Sequence, residues 1–295
     1  MAEEPSEGLT HTCPLPPPKL FSVEVRGPHD AQGSTVELPC EVLSEGRPPL
    51  SSAGVGAVLT HGLGSRAPHE RTHRTDSYVT EVLAPGALTA GVPAVWYTAR
   101  GHGTSTGWEA SASAGGLSMF TWDALSSDML QLATATSFPR FIACGNSMGS
   151  ATSLWAAARA PERVAGVVMV RAPTAWDTRM ERRGKLLRNA ARAAEAFPDR
   201  PAARLVLEGA ALADLPPEGD PEGLYAAVAC PVLLLSIEGD AAHPTSTARR
   251  LRELLPRATL HVAPDADAAK AQWPAIVADF IRDVAAAERR GAGGA

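Results

Sequence analysis

Six short, strongly apolar runs recur along the chain: GAVLTHG (56–62), PAVWYTARG (93–101), PRFIACGNS (139–147), VAGVVMVR (164–171), PVLLLSIEGD (231–240) and ATLHVA (258–263). Each is too short for a buried helix and lacks the polar alternation of a half-exposed strand, so each fits a strand covered on both faces of a parallel sheet. The segments between them, including 119–135, 149–160, 244–255 and 269–288, carry helical spacing. Strands alternating with helices specify an α/β class, a doubly wound and mostly parallel sheet. Ahead of the series, FSVEV (21–25) and STVELPCEVL (34–43) alternate in the strand period and are separated by Gly and Pro, which predicts an N-terminal hairpin.

Residues 174–228 break the alternation: they are rich in Ala, Arg and Leu, interrupted by Pro and Gly, and contain no strand-like run. A helical excursion between two sheet strands reads as a lid over one end of the sheet. The expected organisation is a flexible N-terminal arm (1–18), a core of 19–173 and 229–288, a helical lid (174–228) and a disordered tail (289–295).

With 45% apolar and 20% charged residues, the chain can bury a sizeable core. A net charge of −5 gives no basis for nucleic-acid binding and points to a small-molecule partner. The cysteines at 13, 40, 144 and 230 have no paired spacing and read as reduced thiols. The acidic, Pro-rich first residues lack the features of a secretory signal. No apolar stretch reaches the roughly 18 residues of a membrane span. A cytoplasmic protein without a membrane partner is expected, and its oligomeric state is left open.

Gly145-Asn146-Ser147-Met148-Gly149 matches G-x-S-x-G. A sharp strand-to-helix turn pushes the serine hydroxyl outward, the glycines admit close neighbouring chain, and the helix start offers N–H groups to a developing oxyanion. The pattern occurs twice, since Gly103-Thr104-Ser105-Thr106-Gly107 also fits. The residues after that second pentad, WEASASAGG, have no helical pattern, whereas Ser147 sits between the strand FIAC and the helix SATSLWAAARA. Context selects Ser147 as nucleophile.

From about residue 20 to 285 the chain resembles the α/β-hydrolase superfamily. LTHGLGS (59–65) is similar to its oxyanion loop after the third strand, ARGHGTST (99–106) to its loop after the fourth, and APERVAGVVMV (160–170) to its helix-to-strand join after the nucleophile. LSIEGDAAHP (235–244) is similar to the strand and turn bearing its acid. The resemblance implies an oxyanion hole from the N–H groups of Met148 and Leu63, with Asp240 as the triad acid. His61 and His102 read as structural loop histidines.

That family's catalytic histidine comes just after the last strand, but Asp267 and Ala268 stand where its Gly-His would fall, and no histidine occurs beyond His261. A serine needs a base within about 3 Å. His11 and His29 belong to the arm and hairpin, and His261 lies inside the last strand. His243 is three residues beyond Asp240, just before a helix begins, a spacing that sets both on one face if the turn is helical. It is the favoured base, with a loop-bracing role as the alternative.

His69-Glu70-Arg71-Thr72-His73 matches H-E-x-x-H, a zinc-binding pattern when helical. Pro68 precedes it and no third ligand stands at suitable spacing, so surface histidines are the expected reading and no metal is assigned. The lid opens with Arg179, Arg182, Arg183, Lys185, Arg188 and Arg192, which read first as a solvated basic face. The alternative is that some of them, or Arg171 at a strand end, draw in an anionic substrate. Met180, Leu186 and Leu187 either line the lid's inner side or anchor it; Arg171, Trp176 and Met180 are the candidate substrate contacts. The expected activity is cofactor-free hydrolysis of a small carboxylic ester, thioester or lactone through an acyl-enzyme on Ser147. The competing expectation is a ligand- or partner-binding member of the fold that has lost its base.

Overall fold

A computed structural model describes residues 19–26, 35–43, 54–65, 76–109, 116–196, 201–220 and 222–292. Eight strands form one sheet in the order β1-β2-β4-β3-β5-β6-β7-β8. The hairpin is β1 (Lys19–Arg26) against β2 (Thr35–Leu43), antiparallel, with β2 also antiparallel to β4 (Ala94–Tyr97). The rest is parallel: β3 (Val55–Thr60), β5 (Arg140–Asn146), β6 (Val164–Val170), β7 (Val232–Ile237) and β8 (Ala258–Ala263). The six apolar runs thus become β3 to β8, and the fold is the doubly wound sheet the pattern implied; β3 to β7 are covered as expected, whereas β8 is not, because it forms the sheet edge and most of its residues are half-buried or exposed.

Alternate side chains of one strand feed two cores. Phe141 and Ala143 of β5 join the cluster under one helical layer, Ile142 and Cys144 the cluster under the other. The first layer is α2 (Trp122–Ala135), α3 (Met148–Arg159) and α7 (Thr245–Leu254); the second is α1 (Ala84–Ala90) and α8 (Ala266–Ala292). Helix α1 has no counterpart among the helical segments expected from sequence. It comes after a single π-helical turn (Val79–Leu83) and contains Pro85 and Gly86, which blur its periodicity. Gly86 is required by packing, because a Cβ there would lie 2.5 Å from a Val277 methyl of α8.

Between β6 and β7 the chain forms α4 (Asp177–Ala196), α5 (Pro201–Leu212) and the single turn α6 (Leu224–Ala227). The excursion read as strandless therefore is helical in its described residues. At the other end, α8 runs to Ala292, past residue 289 where the tail was expected. Expectations for His11, Cys13, His29, His69 and His73 lie outside the described residues.

The chain leaves β3 for one side of the sheet and returns in β5 on the other. The carboxyl ends of β3 and β5 therefore border the crevice where open α/β sheets bind ligands.

Candidate active site

Ser147 caps α3 directly after β5 with φ 53° and ψ −113°, a conformation costly for a residue carrying a Cβ. It is held by its neighbours: Ser147 N–H donates to Val170 O of β6 at 2.9 Å, and its carbonyl accepts from the N–H groups of Ser150 and Ala151. The flanking glycines are demanded by contact. A Cβ on Gly145 would fall 2.1 Å from the carbonyl carbon of Gly149, and one on Gly149 would fall 2.6 Å from Thr60 O. The second pentad differs. Ser105 is buried, its hydroxyl donates to His102 O at 2.8 Å, and it sits in a loop.

The turn after β7 brings His243 to Ser147. Asp240 Oδ1 accepts from the N–H groups of Ala242 (3.0 Å) and His243 (3.2 Å), and His243 N–H also donates to Asp240 O at 3.1 Å. This closes one tight turn in which His243 Nδ1 lies 2.8 Å from Asp240 Oδ2 and Nε2 lies 2.8 Å from Ser147 Oγ. The three residues form one hydrogen-bonded chain. His261 instead lies within β8, paired in register with Leu235.

Arg171, with φ 54°, stands at the end of β6 and donates through Nε to Asp240 Oδ2 at 3.1 Å; its guanidinium stacks on Tyr78 at 4.5 Å. Its Nη2 also lies 2.9 Å from His243 Nδ1. A guanidinium only donates, so the two neighbours of Nδ1 favour opposite tautomers. The charged carboxylate favours the proton on Nδ1, which leaves Nε2 as the acceptor facing the serine. Burial, then the positive charges of Arg171 and Arg182, hold the His243 pKa below its ordinary value against the opposing pull of Asp240. Burial works to raise Asp240, yet His243, Arg171 and the Ala242 N–H together keep its carboxyl well below the usual range.

A cavity of about 310 Å³ opens at Ser147 and His243. Gly62 and Leu63 line it after β3, Met148 after the serine, Trp122 from α2, and Arg179, Arg182 and Leu186 from α4. Asp76 ties two of these edges together. Its carboxylate accepts from Gly62 N–H (2.7 Å), Tyr78 N–H (3.0 Å) and both ways from Asn146 Nδ2 (2.9 and 3.0 Å), clasping the β3 loop to the residue before Ser147. His61 is a loop brace: Nδ1 donates to Gly62 O at 2.9 Å and Nε2 accepts from Ala99 N–H at 3.0 Å. His102 also sits against its own loop, with Nδ1 3.0 Å from Arg100 O.

Of the expected substrate contacts, Arg171 lines the cavity, whereas Met180 and Trp176 do not. Met180 is 68% exposed, since one residue past Arg179 turns it about 100° round the helix. Trp176 Nε1 donates to Pro216 O at 2.9 Å, away from the serine. Sequence reasoning missed Asp76 and Tyr78, which belong to no recognisable motif. It read Arg179 and Arg182 first as part of a solvated face, with attraction of an anionic substrate by some of the lid arginines as the alternative. Their spacing with Leu186, at i, i+3 and i+7, was the available signal of an inward stripe.

Comparison with curated protein sequences returns no match. Among solved structures, a proline iminopeptidase from Mycobacterium smegmatis superposes with TM-score 0.62 at 19% identity, covering 90% of this chain and 99% of that one. A malate-bound thermophilic esterase from Thermogutta terrifontis gives 0.59 at 18% identity, covering 89% and 97%. The enol-lactonase from Burkholderia xenovorans LB400 gives 0.58 at 20% identity, covering 84% and 96%. These likenesses speak to fold. The profile of the alpha/beta hydrolase fold family matches residues 58–206, from β3 through the Ser147 turn into α5, and with the sheet order and the strained serine turn this shows that the chain belongs to that family.

Proposed function

We propose that the protein is a serine hydrolase that cleaves a small carboxylic ester, thioester or lactone through an acyl-enzyme on Ser147. The observation that carries this reading is the unbroken chain from Ser147 Oγ to His243 Nε2 and from His243 Nδ1 to Asp240 Oδ2, each link 2.8 Å long. His243 Nε2 takes the hydroxyl proton as Oγ bonds to the acyl carbon, and the carbonyl electron pair becomes an oxyanion. The N–H groups of Met148 and Leu63 receive that oxyanion. The tetrahedral species then collapses, the bond to the leaving oxygen or sulfur breaks, and the leaving group takes the proton from Nε2. Water, deprotonated by the same imidazole, releases the acid and restores Ser147.

Every step uses side chains and amides of this chain, and none requires a cofactor. The esterase and enol-lactonase among the structural neighbours agree with a carboxylic ester or lactone as substrate. We further read residues 174–228 as a lid on a core of 19–173 and 229–288. We read the protein as cytoplasmic, supported by the free, buried thiols of Cys40, Cys144 and Cys230. No helix among the described residues is long and apolar enough to cross a membrane.

A fluorophosphonate probe tests the chemistry, because it bonds only to an activated hydroxyl. Labelling should map to Ser147, vanish in Ser147→Ala and fall by several orders of magnitude in rate in His243→Ala, while His261→Ala labels normally. A folded protein that resists the probe would favour the ligand-binding reading over the enzyme.

A further inference from the structure

The cavity is cationic in a way the proposed chemistry does not use. Its lining contains three arginines, Arg171, Arg179 and Arg182, against one carboxylate, Asp76. The charge of Arg171 is answered by Asp240 at 3.1 Å, and both oxygens of Asp76 are occupied by the donors of its clasp. The other two guanidinium groups make no salt bridge with any described residue.

Arg179 is only 6% exposed, and its hydrogen bonds go to neutral acceptors. Nε donates to Ala213 O at 2.9 Å, Nη1 to Thr174 Oγ1 at 3.4 Å and Nη2 to Ala210 O, while its guanidinium rests on the Trp122 ring at 4.4 Å. Burial draws its pKa down to about 10; Asp214 pulls it up at longer range and Arg182 pushes it down. Arg182, half-buried one helical turn further on, makes no hydrogen bond or ion pair within the described residues. Arg179, Arg182 and Leu186 thus present one face of α4 to the cavity, while Arg183, Lys185, Arg188 and Arg192 are exposed. Arg179 has only the Asp214 carboxylate, beyond ion-pair distance, to offset its charge, Arg182 has no paired carboxylate among the described residues, and two cations beside each other repel. An anion supplied by the ligand resolves both terms.

Resting on the hydrolase reading of this site, we propose that the substrate carries a carboxylate in addition to its scissile carbonyl, and that Arg182, backed by the field of Arg179, anchors that carboxylate in the cavity. Arg182 is the specificity determinant for the anion, Leu186 and Trp122 supply apolar wall, and Ser147 attacks the ester carbonyl at the other end. The volume of about 310 Å³ suits a short diacid half-ester.

The test compares p-nitrophenyl hemisuccinate with its neutral methyl ester, and p-carboxyphenyl butyrate with p-carbomethoxyphenyl butyrate. The first pair puts the anion on the acyl side, the second on the alcohol side. The anionic member of at least one pair should be preferred in kcat/KM by about 10- to 100-fold at low salt, the range of a charge-assisted hydrogen bond. The preference should shrink as salt screens it. Arg182→Gln should reduce it at least about tenfold, whereas Arg183→Gln, on the exposed side of α4, should keep it.

A second readout needs no turnover. Ser147→Ala, titrated calorimetrically with monomethyl succinate and dimethyl succinate, should bind the anion more tightly, and adding Arg182→Gln should erase the difference. Turnover of neutral and anionic esters at equal efficiency, with no anion preference in Ser147→Ala, overturns the carboxylate anchor and leaves the hydrolase standing. A protein that turns over neither ester and resists the fluorophosphonate, yet binds monomethyl succinate in an Arg182-dependent way, keeps the anchor and discards the hydrolase. Anion preference that survives Arg182→Gln refutes the assignment of the anchor.

Discussion

Asp76→Asn isolates a part of the site that no motif announces. In the native clasp one oxygen receives Gly62 N–H at 2.7 Å and the other receives Tyr78 N–H at 3.0 Å, while Asn146 Nδ2 donates to both. An asparagine at 76 turns one oxygen into an NH2 of the same size. Whichever way the amide faces, one backbone N–H then meets a donor in a place where Asp76 is only 4% exposed. A buried donor left without an acceptor costs about 1–3 kcal/mol, and the surviving bonds lose roughly another 1 kcal/mol with the charge. The expected sum is about 3 kcal/mol, or roughly 5 °C in Tm for a chain of 295 residues. Urea and thermal denaturation measure it.

The loosened loop carries Leu63, whose N–H is proposed to receive the oxyanion. The kcat for a p-nitrophenyl ester should therefore fall by about 10- to 100-fold, less than the loss of a whole oxyanion donor, with KM changed far less. A double-mutant cycle with Asn146→Ala should show coupling, because the two side chains share bonds. Asp76→Asn within about 0.5 kcal/mol of wild type, and as active, would refute the idea that this carboxylate clasps the β3 loop to the Ser147 turn.

His243 as the proposed base and the Ser147 turn each give a further check. His243 accepts a proton only when neutral and its pKa lies below the ordinary 6.5, so kcat/KM should hold level above that pH and drop as pH falls through the lower value; Arg182→Gln removes a like charge and should move this acid limb upward. Gly145→Ala should destabilise by about 3 kcal/mol or more and abolish Ser147 labelling, since its methyl would overlap fixed backbone of Gly149 and Ser150; Gly219→Ala, with nothing within 4 Å, should be silent in both denaturation and labelling assays.

Several elements of the site were legible before any fold was known. FIAC running into GNSMGSATSL marks a strand-to-helix turn whose glycines have a stated steric purpose, and the clash distances at Gly145 and Gly149 match that purpose. With Asp240 offered as the acid by the family resemblance, its pairing with His243 was also readable, because the two are three residues apart and one tight turn suffices to orient them. Met180 was misjudged because apolar character alone does not say which side of α4 a residue occupies. Asp76 and Tyr78 were invisible because their partners lie far off in sequence or have backbone donors, which carry no sequence signature.

Sequence alone determined the local and periodic features: six apolar runs that form strands, five of them covered and the sixth the part-exposed edge, a serine at the one pentad that opens a helix, and a histidine three residues beyond a candidate acid. Tertiary structure decided that this histidine, 96 positions from the serine, reaches it at 2.8 Å. It also decided that two arginines of α4 turn toward the cavity rather than to water. Periodicity records how a segment meets its surroundings, but a distance between segments depends on strand order, register and crossover, which no local pattern encodes.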